Sequence, residues 1–203
     1  MTGLREQQKR VRREAILAAA ARLFAEKGYG ATGVEEIAAA AGVSLPTLYA
    51  YTASKGDLVV ALYERGRATL DAAKQALINA PQEDPADAIA AMLLLELRHA
   101  EAFPAAAWRE AAATALRSGG GYQAGLDRLG ARVFDEPLRR LLRTLQRLGR
   151  LADDLDVDAA VALFGDLVTA VFHQRIARDH SRDWVEQRVR RHVATALRGM
   201  RAG

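Results

Sequence analysis

Between Thr32 and Tyr51 two short helices must start and stop, and the breakers leave little choice in how. Thr32 is followed three residues later by Glu35, a pattern in which the threonine oxygen accepts an orphan N–H and the glutamate reaches back to the cap. That predicts a helix over about Gly33–Ala41. Gly42 follows, and glycine reaches the left-handed conformation that closes helices without a steric cost. Ser44 can then cap a second helix whose first two residues are Leu45 and Pro46. N–H groups in that first turn have no partner within the helix, so a proline there starts the helix and does not break it. Helix, glycine turn and short second helix make a helix-turn-helix. Ala38 is expected to pack tightly at its crossing and Leu48 to face the core.

The rest of the chain also reads as helix. No alternating strand pattern appears, and aromatics are only 6% of the 203 residues. Breakers delimit a first helix at Arg5–Lys27, a long fourth at Lys55–Asn79, and others near Pro85–Ala102, Pro104–Arg117, Tyr122–Leu151, Asp158–Asp179 and Ser181–Arg201. The Tyr122–Leu151 segment invites a kink or a break near Asp135–Pro137. Asp84 and Pro85 suit the start of the helix that follows "NAPQEDP". The expected architecture is all-α with about nine helices: a compact front with the helix-turn-helix over residues 1–56 and a helical body over 57–203.

Several classes of chemistry lose support at this point. There is no cysteine, hence no disulfide, thiolate metal site or cysteine nucleophile. No charge-free apolar run approaches the ~18 residues of a membrane span, and "MTGLREQQKRVRRE" does not resemble a secretion signal. A chain of the cytoplasm that does not associate with membrane is expected. No nucleophile elbow, HExxH or paired-carboxylate arrangement suggests an enzyme, and "RSGGGY" lacks the spacing and lysine of a phosphate loop. His99, His173, His180 and His192 form no metal motif with carboxylates, and no cofactor is implied.

Charge points toward a polyanion. From Arg5 to Arg22 six basic residues (Arg5, Lys9, Arg10, Arg12, Arg13 and Arg22) face only Glu6 and Glu14. A solvated helix face would show the same excess. On the second helix of the motif, Thr47, Tyr49 and Tyr51 carry hydroxyls and Lys55 follows close by. Hydroxyls, lysines and helix N-termini are the usual phosphate partners of a helix lying in a major groove. Leu45 and Pro46 at the leading end offer apolar contact to thymine methyls. Tyr51 is the tyrosine expected to be partly buried.

The stretch "AILAAAARLFAEKGYGATGVEEIAAAAGVSLPTLYAYTASKGDL", Ala15 to Leu58, resembles the DNA-binding domain of the TetR family of transcriptional regulators. The resemblance rests on Ala-Ala and Leu-Phe in the first helix, then Gly-Tyr, Thr, Ile-Ala, Ala-Gly-Val-Ser, Thr-Leu-Tyr and Ser-Lys-x-x-Leu. It implies phosphate contacts from Thr47, Tyr49 and Lys55, support from Thr32, and groove-facing roles for Ser44, Leu45 and Pro46. Two positions depart from the family pattern. Pro46 stands where glycine is frequent, and Thr52 where an aromatic usually pins the recognition helix. Thr52→Phe is therefore expected to stabilise the domain.

Asp158–Asp179 is apolar nearly all round at its centre, through Ala160, Val161, Leu163, Phe164, Leu167, Val168, Val171 and Phe172. Two buried sides suit a helix with a core on one face and a partner on the other; a central core helix would read the same way. The last helix carries the stripe Val185, Val189, Val193 and Leu197. The resemblance implies a homodimer through these last two helices, a double-stranded DNA operator and a small-molecule effector. Met92, Leu95, His99, Phe103, Trp108, Phe134 and Phe172 are the candidate effector-pocket residues, and core packing is the competing account of each. Repression relieved by the effector is the expected activity; activation, or a body that binds a protein or no ligand, is the alternative.

Overall fold

The computed structural model describes residues 2–117 and 135–198, and among them ten helices and no strand. They are α1 (Thr2–Lys27), α2 (Val34–Ala40), α3 (Leu45–Tyr49), α4 (Lys55–Arg65), α5 (Arg67–Asn79), α6 (Pro85–Ala100), α7 (Ala105–Arg117), α8 (Asp135–Arg147), α9 (Val157–Arg178) and α10 (Arg182–Leu197). The all-α expectation holds. Local chemistry sets several boundaries where the sequence puts them. Ser44 accepts from the Thr47 N–H, Asp84 from Ala86, Asp156 from Asp158 and Ala159, and Ser181 from Trp184, each capping the helix that follows.

Two expectations need correcting. The cap of α2 is Gly33 and not Thr32, and the reciprocal bond comes from Glu36, whose Oε2 accepts from the Gly33 N–H at 3.1 Å. The Thr32 hydroxyl turns the other way, to carbonyls at the end of α1, which outcompete the capping role. The long Lys55–Asn79 helix is interrupted at Gly66. A Cβ on Gly66 would lie 2.4 Å from His99 Cε1, so the imidazole of α6 occupies the space that a side chain would need.

The chain groups into two units. The first joins residues 2–65 with 106–117, that is α1–α4 with most of α7; the second joins 66–105 with 135–198. The expected division at residue 56 falls inside the first of these. In the first unit Ile16, Leu17, Ala20 and Leu23 of α1 are buried with Ile37, Ala38 and Leu48. Leu48 is fully buried, and burying a leucine contributes roughly 1.5–3 kcal/mol to holding α3 on its neighbours. α7 meets α4 backbone to backbone: a Cβ on Gly56 would come within 2.5 Å of the Ala111 nitrogen and 3.1 Å of the Ala107 oxygen. Only glycine fits there.

In the second unit α6 packs against α5, α8, α9 and α10, and α9 against α8 and α10. Its core takes Leu93 and Leu97 from α6, Leu138, Leu141, Leu142 and Leu145 from α8, and Val161, Phe164, Val168 and Val171 from α9. The predicted stripe of α10, Val185, Val189, Val193 and Leu197, is buried in full. By length and composition α9 would pass as a membrane-crossing helix. Here one side of it is core, with Leu167 half-buried against that core, and Leu163 is left exposed. Lys74 of α5 and Glu96 of α6 form an ion pair almost wholly removed from solvent, at 1% and 4% side-chain exposure.

Candidate nucleic-acid interface

The turn between α2 and α3 is closed by Gly42 at φ +66°, with the Val43 N–H returning to the Ala38 carbonyl at 3.0 Å. α3 then starts with Leu45 and Pro46, as its sequence requires, and the proline donor is not missed. Ser44 Oγ lies 2.7 Å from Thr47 Oγ1 and accepts from the Thr47 N–H at 3.3 Å, so two of the expected contact residues first hold each other. Ser44, Pro46 and Tyr49 are exposed, Tyr49 at 48%. Leu45, Thr47 and Tyr51 are half-buried, which meets the expectation for Tyr51. α3 thus offers a capped, hydroxyl-bearing outer face over a single buried anchor, Leu48.

Thr32 and Lys55 sit differently from what their residue types suggest. Thr32 is 2% exposed, and its Oγ1 donates to Gly28 O at 2.8 Å and Leu23 O at 3.2 Å, closing the end of α1. The Lys55 ammonium donates to Tyr29 O at 2.9 Å and Thr32 O at 3.1 Å, and lies 4.3 Å from the centre of the Tyr29 ring. It ties the start of α4 to the α1–α2 loop. In this arrangement its donors point into the protein and not to a phosphate.

Thr52 fills its own space. It is 7% exposed and its hydroxyl donates to Ser54 O at 2.7 Å. Phenylalanine would forfeit that bond and add volume at a packed position, which costs about 1–3 kcal/mol. The stabilisation expected of Thr52→Phe is therefore reversed. At the start of α4, Ser54 Oγ accepts from the Asp57 N–H at 3.1 Å, and the Asp57 carboxylate accepts from the Ala53 N–H at 3.2 Å.

Sequence reasoning missed the residue that joins these pieces. Glu110 of α7 accepts from the Tyr29 hydroxyl through Oε2 and from the Gly56 N–H through Oε1, the latter at 3.3 Å. One carboxylate thereby links α7, the loop after α1 and the first turn of α4, where a negative charge also suits the helix dipole. Burial, followed by this hydrogen bond and the charges of Glu110 and Asp57, pushes the Tyr29 phenol above its ordinary range. No local pattern marks Glu110, which is 81 residues from Tyr29. Beside it, Trp108 is fully buried and meets Tyr63 edge-on at 5.4 Å.

Cations are frequent on the helices that flank the motif in the chain. Lys9, Arg10, Arg12 and Arg13 of α1 are exposed and make no ion pair among the described residues. Arg22 pairs with Glu26, Lys27 with Glu36, and Arg65 with Glu14. The Glu36 carboxyl is held below its usual range by the Lys27 ammonium and then by the Gly33 N–H.

The expected effector residues are divided between the two units. Met92 is fully buried in the core of the second unit, whereas Trp108 belongs to the first. Leu95, His99, Phe103 and Phe172 are half-buried in the second unit, and Phe134 lies outside the described residues. Burial lowers the proton affinity of His173, next to Phe172.

Residues 16–62 match the family model of bacterial regulatory proteins, tetR family. The chain is 46% identical over 54 residues to the HTH-type transcriptional activator FasR of Mycolicibacterium smegmatis, a match covering 27% of this chain and 25% of that protein. The chain thus spans about a quarter of the length of that curated relative. Over 94% of its length it superposes on a TetR-family transcriptional regulator from Mesorhizobium loti, with 97% of that chain covered, a TM-score of 0.60 and 20% identity. It also resembles SmeT, the repressor of the Stenotrophomonas maltophilia multidrug efflux pump SmeDEF, over 94% of this chain and 90% of that one, with a TM-score of 0.57 and 24% identity. At such identities the two structures speak for the fold.

Proposed function

We propose that this chain, a member of the TetR family of transcriptional regulators, binds a palindromic operator in double-stranded DNA as a homodimer and is released from it by a small molecule. α3 carries the reading. It is capped at Ser44, exposed at Ser44, Pro46 and Tyr49, and anchored from below by Leu48. In this reading residues 1–56 are the DNA-binding domain and residues 57–203 the effector and dimerisation body. Thr47 and Tyr49 hold phosphates together with the unpaired cations of α1, while Leu45 and Pro46 offer apolar contact to bases. Thr32, Lys55 and Tyr51 act by shaping the motif beneath α3.

Two recognition helices reading a palindrome must lie about one DNA turn apart, ~34–36 Å, which takes two copies of the chain. α9 and α10 form the pairing face, and the exposure of Leu163, 47%, supports it. The effector is met by Leu95, His99, Phe103 and Phe172, with Met92 behind them. A ligand that favours one arrangement of the body over another shifts operator affinity by its differential binding to the two. Activation is the second reading, because the M. smegmatis relative that matches the DNA-binding segment is named an activator. The reading involves no catalysis and requires the compartment that holds the DNA, the cytoplasm.

Fluorescence anisotropy on duplexes from the region upstream of this chain's own coding sequence tests the proposal. The expected result is saturable binding of two chains per site, preferred over scrambled duplex and weakening steeply with salt. Equal affinity for scrambled DNA would refute it. Native mass spectrometry of protein taken from cells tests the effector separately.

A further inference from the structure

The segment from Arg139 to Arg150 holds five arginines and no acidic residue, more positive charge than the net +4 of the whole chain. Three of them, Arg140, Arg143 and Arg147, line a surface cavity of about 660 Å³ between α8 and the end of α5, together with Ile78, Asn79 and Thr144. Among the described residues no carboxylate lines it. Arg139 is neutralised by Glu136 and Asp158, but Arg140, Arg143 and Arg147 have no ion-pair partner among the described residues. Arg140 gives one N–H to Gln75 Oε1 at 2.7 Å. Arg147 gives two, to Arg143 O and Thr144 Oγ1. The Arg143 guanidinium gives none among the described residues.

Like charges at this helical spacing destabilise a helix, so the arrangement is unfavourable by itself. The leucines of α8 do not demand it: they pack on the opposite side, and lysine or glutamine on the outer side would leave that packing unchanged. Guanidinium forks match phosphate oxygens in pairs, and three of them exceed what a single carboxylate can neutralise. From Arg140 to Arg147 the helix rises about 10 Å, the reach of a diphosphate and its first attached group. The volume lies in the range of small-ligand sites, ~300–1,000 Å³, and Ile78 supplies an apolar wall.

We infer that this groove binds a small organic molecule bearing at least two phosphate charges, with Arg143 as its central contact. The groove lies in the second unit and shares no lining residue with α3 or with the effector residues discussed above. Isothermal titration of the full-length chain with sodium pyrophosphate, with inorganic phosphate alongside, tests it at about 0.15 M salt, where loose surface pairing is screened. Saturable pyrophosphate binding is expected, with phosphate at least tenfold weaker. Arg143→Glu should lower pyrophosphate affinity tenfold or more and leave the melting temperature unchanged, because that side chain is exposed. Arg12→Glu, on the basic first helix, should leave it intact. Absence of saturable binding would overturn the inference, as would equal loss in the two variants, which would mean diffuse charge. Displacement of pyrophosphate by scrambled duplex, lost again in Arg143→Glu, would instead mark a nucleic-acid surface. None of these results depends on operator binding, which the anisotropy experiment reads independently.

Discussion

Removing the Glu110 carboxylate should loosen the first unit at three points together. In Glu110→Ala the Tyr29 hydroxyl loses a charged acceptor, and bonds to charged groups contribute about 1.5–3 kcal/mol. The Gly56 N–H, in the first turn of α4, loses its carboxylate acceptor, and the charge near that helix start is worth another ~0.3–1 kcal/mol. These contributions overlap, so a total of roughly 3 kcal/mol is expected. For the whole chain melting as one, that corresponds to a fall of about 6–12 °C in melting temperature. Glu110→Gln keeps an oxygen for one of the two donors and should lose about half as much. Tryptophan fluorescence provides the assay: Trp108 lies in the first unit and Trp184 in the second, so a Trp184→Phe background isolates the unit in question. The decisive comparison is a double-mutant cycle with Tyr29→Phe. If the bond acts as described, Tyr29→Phe costs little once Glu110 is alanine. Strict additivity, or a Glu110→Ala shift below about 1 °C, would refute the clamp.

Four further outcomes are open to measurement. The Tyr29 phenol is raised above its unfolded value near 10, so the stability it contributes is complete below that pH and is lost as pH climbs beyond it; an alkaline unfolding titration should show this, and Tyr29→Phe should blunt it. Lys55→Ala should cost about 1–3 kcal/mol through its two carbonyl bonds and weaken operator binding while leaving the salt slope unchanged, where a phosphate contact would lower that slope by about 1. Lys74→Ala should cost about 3–5 kcal/mol in urea unfolding by removing the ammonium that pairs with the buried Glu96 carboxylate, whereas replacing the two with Met and Leu together should be near neutral or stabilising. Thr52→Phe should lower the melting temperature of the first unit by calorimetry, with a cost of about 1–3 kcal/mol.

The parts of the fold that could be read from the chain alone are those whose physics is local. Gly42, Ser44 and Pro46 fix where α2 ends and α3 begins, because a left-handed turn, an orphan N–H and a missing donor are settled within four residues. The stripe of α10 is equally local, since helical spacing by itself puts Val185, Val189, Val193 and Leu197 on one side. Tertiary structure decided where polar groups find partners. Lys55 turns inward because two carbonyls of the α1–α2 loop and the Tyr29 ring surround it. Thr32 leaves the cap of α2 to Gly33 because carbonyls at the end of α1 take its proton. Glu110 and Trp108 join the first unit from far along the chain because Gly56 lets α7 approach α4 at backbone distance. A helix start depends on groups a few bonds away, whereas a buried charge or hydroxyl is settled by whichever distant segment packs beside it.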